Sequence, residues 1–112
     1  MNYSINITDI AEEDILATVG YINNTLKNST AANNLLDEIE RHEKILESTP
    51  NIYPFVYDEF LARKELKYVI IKNYLMFYTI DEENKIVTII RFLYGRRDWI
   101  NILKKTENIT MK

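Results

Sequence analysis

Six side chains in the C-terminal half of the chain could do chemistry on a charged substrate: Lys67, Lys72, Arg91, Tyr94, Arg96 and Arg97. Cleavage of RNA by its own 2′-hydroxyl needs a base for the hydroxyl proton, cations for the phosphorane and an acid for the leaving oxygen. Lys67, Arg91, Tyr94 and Arg97 form a candidate catalytic set of that kind, with no metal. All six form a candidate target-binding set, because phosphate is neutralised by local rather than global charge. Spacing limits what they can share. Strand alternation puts positions 67, 69 and 71 on one face and 68, 70 and 72 on the other, so Lys67 and Lys72 diverge unless a bulge intervenes. Gly95 separates Arg91 from Arg96 and leaves their relative direction open. An unperturbed phenol titrates near ~10, so Tyr94 is a poor base at neutral pH but can donate a proton.

Each residue also has a plainer reading. Tyr94 can be a half-buried strand tyrosine. Arg96 and Arg97 can cap the sheet end or pair with Asp98. Arg91, inside a β-branched run, suits a structural ion pair or a contact with a partner protein. Lys67 and Lys72 suit a solvated strand face. His42 follows Ile39 by three and precedes Leu46 by four, which fits a satisfied boundary histidine. Trp99 reads as a core anchor, and Glu12-Glu13-Asp14 as a helix-start cluster. Tyr53, Tyr57, Tyr68, Tyr74 and Tyr78 read as packing.

Composition removes other chemistries. The 112 residues contain no cysteine and one histidine, which excludes disulfides, thiolate sites and His-rich metal clusters. No Gly-rich phosphate loop or nucleophile elbow is present, and no cofactor is implied. No apolar run approaches the roughly 20 residues that span a bilayer. The N-terminus lacks the basic start and apolar stretch of a signal peptide, so the simplest location is cytoplasmic. The net charge of −3 does not by itself suggest a nucleic-acid binder. It averages two unlike halves, however. Residues 1–60 hold three bases against eleven acids, and residues 61–112 hold eleven bases against six acids. Such asymmetry hints at a charged partner, or at acidic helices solvating one half and basic strands the other.

The elements that must position these residues follow from periodicity. Residues 3–8 alternate apolar and polar, as a half-buried strand does. Asp9 with Glu12 resembles a capping box, and Ile15, Leu16, Val19, Ile22 and Leu26 follow at helical spacing. Asn28-Ser29-Thr30 breaks this helix and offers a new N-cap. A second helix is expected from Ala31 to about Glu47, with Leu35, Leu36, Ile39 and Leu46 on its apolar face and Pro50 as its stop. Residues 49–65 read as a loop, with a helical turn within 58–63. Three strands follow at 66–72, 74–80 and 86–94, with Asn73 at one turn and a polar hairpin over 81–85. A short C-terminal helix is expected from Arg96 to about Lys104. Residues 106–112 are expected to fray. The whole chain, 1–112, reads as one α+β domain of order β-α-α-β-β-β-α. A helical hairpin packs on one face of a mostly antiparallel sheet, with the first strand at an edge or beside a later strand.

Two stretches carry a family resemblance. Asn73-Tyr74-Leu75-Met76-Phe77-Tyr78-Thr79-Ile80-Asp81 resembles a strand motif of the RelE/ParE toxin superfamily. Ile86-Val87-Thr88-Ile89-Ile90-Arg91-Phe92-Leu93-Tyr94-Gly95-Arg96-Arg97-Asp98-Trp99 resembles the superfamily's strand and Gly-Arg-Arg-Asp ending. Ala31-Ala32 and the Pro50, Tyr53 and Pro54 spacing are weaker matches. The resemblance implies the toxin of a type II toxin–antitoxin module. Its partner would be a cognate antitoxin, in a toxin–antitoxin hetero-oligomer. RelE-like members cut mRNA on the ribosome, whereas ParE-like members bind and poison DNA gyrase. Leu75 stands where active RelE-like members carry an Arg, which places the chain nearer the ParE-like branch. Lys67 falls on another Arg position and keeps charge without a bidentate fork. Tyr94 stands where His often precedes the Gly. No His-Tyr pair ends the chain, unlike YoeB-like endonucleases. A small binding domain without toxicity is a third reading.

Overall fold

A computed structural model describes residues 2–106, in the order β1 (Ser4–Ile7), α1 (Asp9–Gly20), α2 (Ser29–Ser48), α3 (Glu59–Arg63), β2 (Lys67–Ile71), β3 (Tyr74–Asp81), β4 (Ile86–Tyr94) and α4 (Trp99–Lys104). A π-helical turn over Tyr21–Thr25 joins α1 to the loop before α2, and a 3-10 turn over Pro50–Ile52 follows α2. The α+β class and the element order match the sequence expectation. The expected fraying of 107–112 lies outside the described residues. Thr106 is not frayed: it is buried, and its hydroxyl donates to the Ile102 carbonyl at 2.8 Å.

The helix boundaries are set by caps. Thr8, not Asp9, caps α1, because its Oγ1 accepts from the Ala11 amide at 3.1 Å. Asn28 caps α2 the same way, accepting from Ala31, so α2 starts two residues earlier than its apolar pattern suggests. Asp58 caps α3 through Leu61. Each cap satisfies an otherwise orphaned N–H.

The sheet runs β1-β4-β3-β2, with β1 parallel to β4 and the other pairs antiparallel. One core lies between the helical hairpin and the sheet, and includes Ile15, Leu35, Ile39, Leu46, Val69, Ile71, Met76, Tyr78, Val87, Ile89 and Phe92. Leu36, expected on the apolar face, is 41% exposed. The sheet's other face is covered too. Val56, Leu61, Leu66, Phe77, Ile90, Leu93 and Leu103 form a second core, with Trp99 packed against it. Trp99 therefore serves as an anchor, its ring 5.2 Å from Phe77 and 5.4 Å from Tyr57.

A bulge in β4 decides where the strand's last side chains point. Phe77 pairs with Arg91 and Tyr78 with Ile89, so Ile90 is the extra residue. Before the bulge, odd positions (Val87, Ile89) face the hairpin; after it, Phe92 does. The shift of one residue carries Tyr94 to the hairpin side, opposite Tyr74.

Candidate functional site

The β2–β3 turn, the exit of β4 and the end of α1 meet at one end of the sheet. Lys72 makes the turn at φ 58°, a left-handed conformation. Gly95 locks it to β4: its amide donates to the Asn73 carbonyl at 2.9 Å, and a Cβ on Gly95 would sit 3.2 Å from that oxygen. Arg97 folds back, donating its amide to the Tyr94 carbonyl at 3.0 Å.

These contacts frame a cleft of ≈ 630 Å³ lined by Asp14, Ala17, Thr18, Tyr21, Leu26, Asn73, Tyr74, Phe92, Tyr94 and Arg97. A second hollow of ≈ 300 Å³, bordered by Lys72, shares Leu26, Asn73 and Tyr74 with it. Aromatic rings build the floor. Tyr74 stacks on Phe92 at 5.2 Å and meets Tyr94 at 5.6 Å. Burial, and then the neighbouring Tyr94 and Tyr21, push the Tyr74 phenol above the ordinary tyrosine value.

The structure brings together some of the sequence-predicted residues and separates others. Tyr94 and Arg97 line the larger cleft, and Lys72 the joined hollow. Arg96 is exposed. Arg91 is held elsewhere: its guanidinium grips the Asp14 carboxylate at 2.7 and 2.9 Å and also donates to Thr106 Oγ1 at 3.2 Å. Its plainer reading, a structural ion pair, describes this geometry. Lys67 is not on a solvated face. It is 8% exposed, its Nζ donates to the Tyr53 carbonyl at 2.8 Å, and the Phe55 ring lies 4.0 Å away. Burial lowers its ammonium below the ordinary lysine value. It pairs with Tyr78, four residues along β3 from Tyr74, which is roughly 13 Å from the cleft end of the sheet.

His42 is buried and donates to the Glu38 carbonyl at 2.8 Å. It is the satisfied boundary histidine the sequence suggests. Among the described residues no three His, Asp or Glu side chains gather as a metal site requires.

Sequence reasoning missed Asp14, Tyr21 and Tyr74 as cleft residues. Nothing local marks Asp14, which reads as a helix-start acid. Tyr74 reads as packing and Tyr21 carries no local signal, because their cleft neighbours come from distant elements.

The fold and its C-terminal strands can be compared with known proteins. The family model of the ParE toxin of the type II toxin–antitoxin system, parDE, matches residues 5–99. The chain belongs to the ParE toxin family. Among solved structures, a chain of the chromosomal ParDE system of P. aeruginosa shares the fold with a TM-score of 0.65 at 16% identity, over 82% of this chain and 95% of that one. A chain of the RelBE2 toxin–antitoxin complex of Mycobacterium tuberculosis has a TM-score of 0.49 at 16% identity, over 84% of this chain and 99% of that one. No curated protein matches the chain.

In this ParE-family chain the motif positions divide between the two faces of the sheet. Tyr94 and Tyr74 face the hairpin and the cleft. Leu75 packs against the second core on the opposite face. No helix among the described residues is long and apolar enough to cross a membrane.

Proposed function

We propose that this ParE-family toxin inhibits growth by binding DNA gyrase and trapping it on DNA, without chemistry of its own, and that a cognate antitoxin neutralises it in a cytoplasmic hetero-oligomer. The observation that carries this reading is the engagement of Arg91 by Asp14. A cation clamped in a bidentate pair, with side-chain exposure of 12% and 13%, is not available to a phosphorane. Lys67 is engaged in its own way, and His42 is buried in the helical layer. The cleft is left with Tyr94 and Arg97, an acid and a cation without a base. Function on this reading resides in a surface, and the basic exit of β4 is its candidate centre.

The shared cleft of Tyr94 and Arg97 is the one observation that favours a ribosome-dependent mRNA endoribonuclease. Two assays on purified protein separate the readings. Loss of gyrase supercoiling with accumulation of cleaved DNA is expected. Cutting of ribosome-bound mRNA with gyrase untouched would overturn the proposal. Unopposed expression without growth arrest would replace both with a non-toxic binding domain.

A further inference from the structure

We propose that the cleft at the sheet end binds an unpaired nucleic-acid strand, with Tyr94 and Tyr21 offering ring faces to bases and Arg97 and Lys72 meeting phosphates. The inference concerns binding alone and holds whichever target the toxin has.

Four observations carry it. First, Tyr21, Tyr74 and Tyr94 line one cleft, and none of their hydroxyls has a hydrogen-bond partner among the described residues. The buried Tyr78 hydroxyl, by contrast, is satisfied by Pro50. Three phenols with open bonding capacity at one place suit a ligand rich in donors and acceptors. Second, the rings stay accessible: Tyr94 is 40% and Tyr21 55% exposed, above a floor of stacked Tyr74 and Phe92. Aromatic faces of this kind stack on any base, because every base has a π-face. Third, cations lie on either side. Arg97 borders the larger cleft and Lys72 the smaller, and the two hollows share Leu26, Asn73 and Tyr74 as lining. Neither cation makes an ion pair among the described residues. Fourth, the acid in the cleft, Asp14, is neutralised by Arg91, so it does not repel a phosphate as a bare carboxylate would.

The groove is lined by α1 and the turn after it on one side and by β3 and β4 on the other. A duplex keeps its bases stacked inside and cannot offer them to such rings, whereas a single strand can. Unpaired DNA and unpaired RNA share this chemistry.

Fluorescence anisotropy of the purified full chain tests the proposal with labelled octathymidine, octauridine and a short DNA duplex. Both or either single strand should bind at least tenfold more tightly than the duplex. The tighter of the two identifies the natural source as DNA or RNA. Tyr94→Ala should weaken binding about tenfold, and Tyr94→Phe should retain most of it because the ring face remains. Lys72→Gln and Arg97→Gln should each reduce the slope of log affinity against log salt by about 0.7. Arg63→Gln, on an exposed arginine paired with Glu59 in α3, should change nothing. Thermal melts of each variant report the fold independently. Absence of saturable single-strand binding at low salt would overturn the proposal. So would equal losses in the cleft variants and Arg63→Gln, or a Tyr94→Ala variant that binds normally, and either result would leave the cleft to a protein segment.

Discussion

Arg91 and Asp14 meet through two parallel hydrogen bonds, Nε to Oδ2 at 2.7 Å and Nη2 to Oδ1 at 2.9 Å, across 77 residues of sequence. The same Oδ2 accepts the Phe92 amide at 3.1 Å. Strand β1 ends at Ile7, so the edge of β4 beyond it lacks a strand partner. Helix α1 takes over that role. Thr8 donates its amide to the Ile89 carbonyl and its hydroxyl to the Ile90 carbonyl, and Asp14 completes the edge. The pair thus closes the sheet edge and neutralises the cleft acid in one contact.

Removing one partner should leave a buried charge without its mate. Arg91→Ala is expected to lose roughly 3 kcal/mol of stability. Asp14→Asn should lose less, because one oxygen can still accept the Phe92 amide. Urea unfolding measures both. If Arg91→Ala abolished toxicity at unchanged stability, Arg91 would be a target contact and not a structural cation.

Tyr78 is fully buried and donates to the Pro50 carbonyl at 2.6 Å, tying β3 to the turn after α2. Tyr78→Phe should cost about 1–3 kcal/mol, because the carbonyl loses its donor. Burial, then Tyr53, raise the Tyr78 phenol far above its ordinary value. A group with a raised folded pKa stabilises below its unfolded pKa and loses that contribution as pH rises through the folded one. Stability should therefore fall above pH ~10, where the unfolded phenol ionises first. Thermal melts from pH 8 to 11 should show a shallower decline in Tyr78→Phe than in the native chain.

Glu43 lines an apolar groove with Leu16, Leu36 and Ile39, beside Glu40. Burial, then repulsion from Glu40 and Glu47, raise its carboxyl above the ordinary value. Ionised Glu43 therefore opposes folding above its raised pKa, and this cost disappears as pH falls towards the unfolded value. Glu43→Gln should stabilise the protein at pH 7 by a few tenths of a kcal/mol, about the size of other screened surface effects. The gain should vanish near pH 4. A difference in melting midpoint that is the same at both pH values would refute the account.

Arg96 and Arg97 are exposed at the β4 exit. Charge reversal of both to Glu should reduce growth inhibition more than antitoxin binding, since the two partners then meet differently charged faces. Growth curves and a toxin–antitoxin binding isotherm, read on the same variant, check the ratio. Equal losses would mean one surface serves both partners.

Much of the architecture was legible in local pattern. The alternation at 3–8, the helical spacing before and after Asn28, and the β-branched run at 86–90 each report a period that one segment carries by itself. Helix starts were less legible. Thr8 and Asn28 cap because their oxygens reach an amide three residues on, whatever the apolar pattern suggests. Lys67 is buried where its plainer reading expects a solvated strand face, because alternation gives a face but not what covers it. The loop through Tyr53 and Phe55 folds over that face and supplies both a carbonyl and a ring.

The sequence by itself determined the family, the order of elements and the basic character of the second half, since motifs, periods and charge are properties of contiguous residues. Only the tertiary structure decided which of the basic residues are available. A one-residue bulge at Ile90 turned Tyr94 towards Tyr74, and an acid 77 positions away took Arg91 out of reach. Strand parity across a bulge and pairing across the chain depend on how separate segments dock, and local periodicity carries no record of that docking.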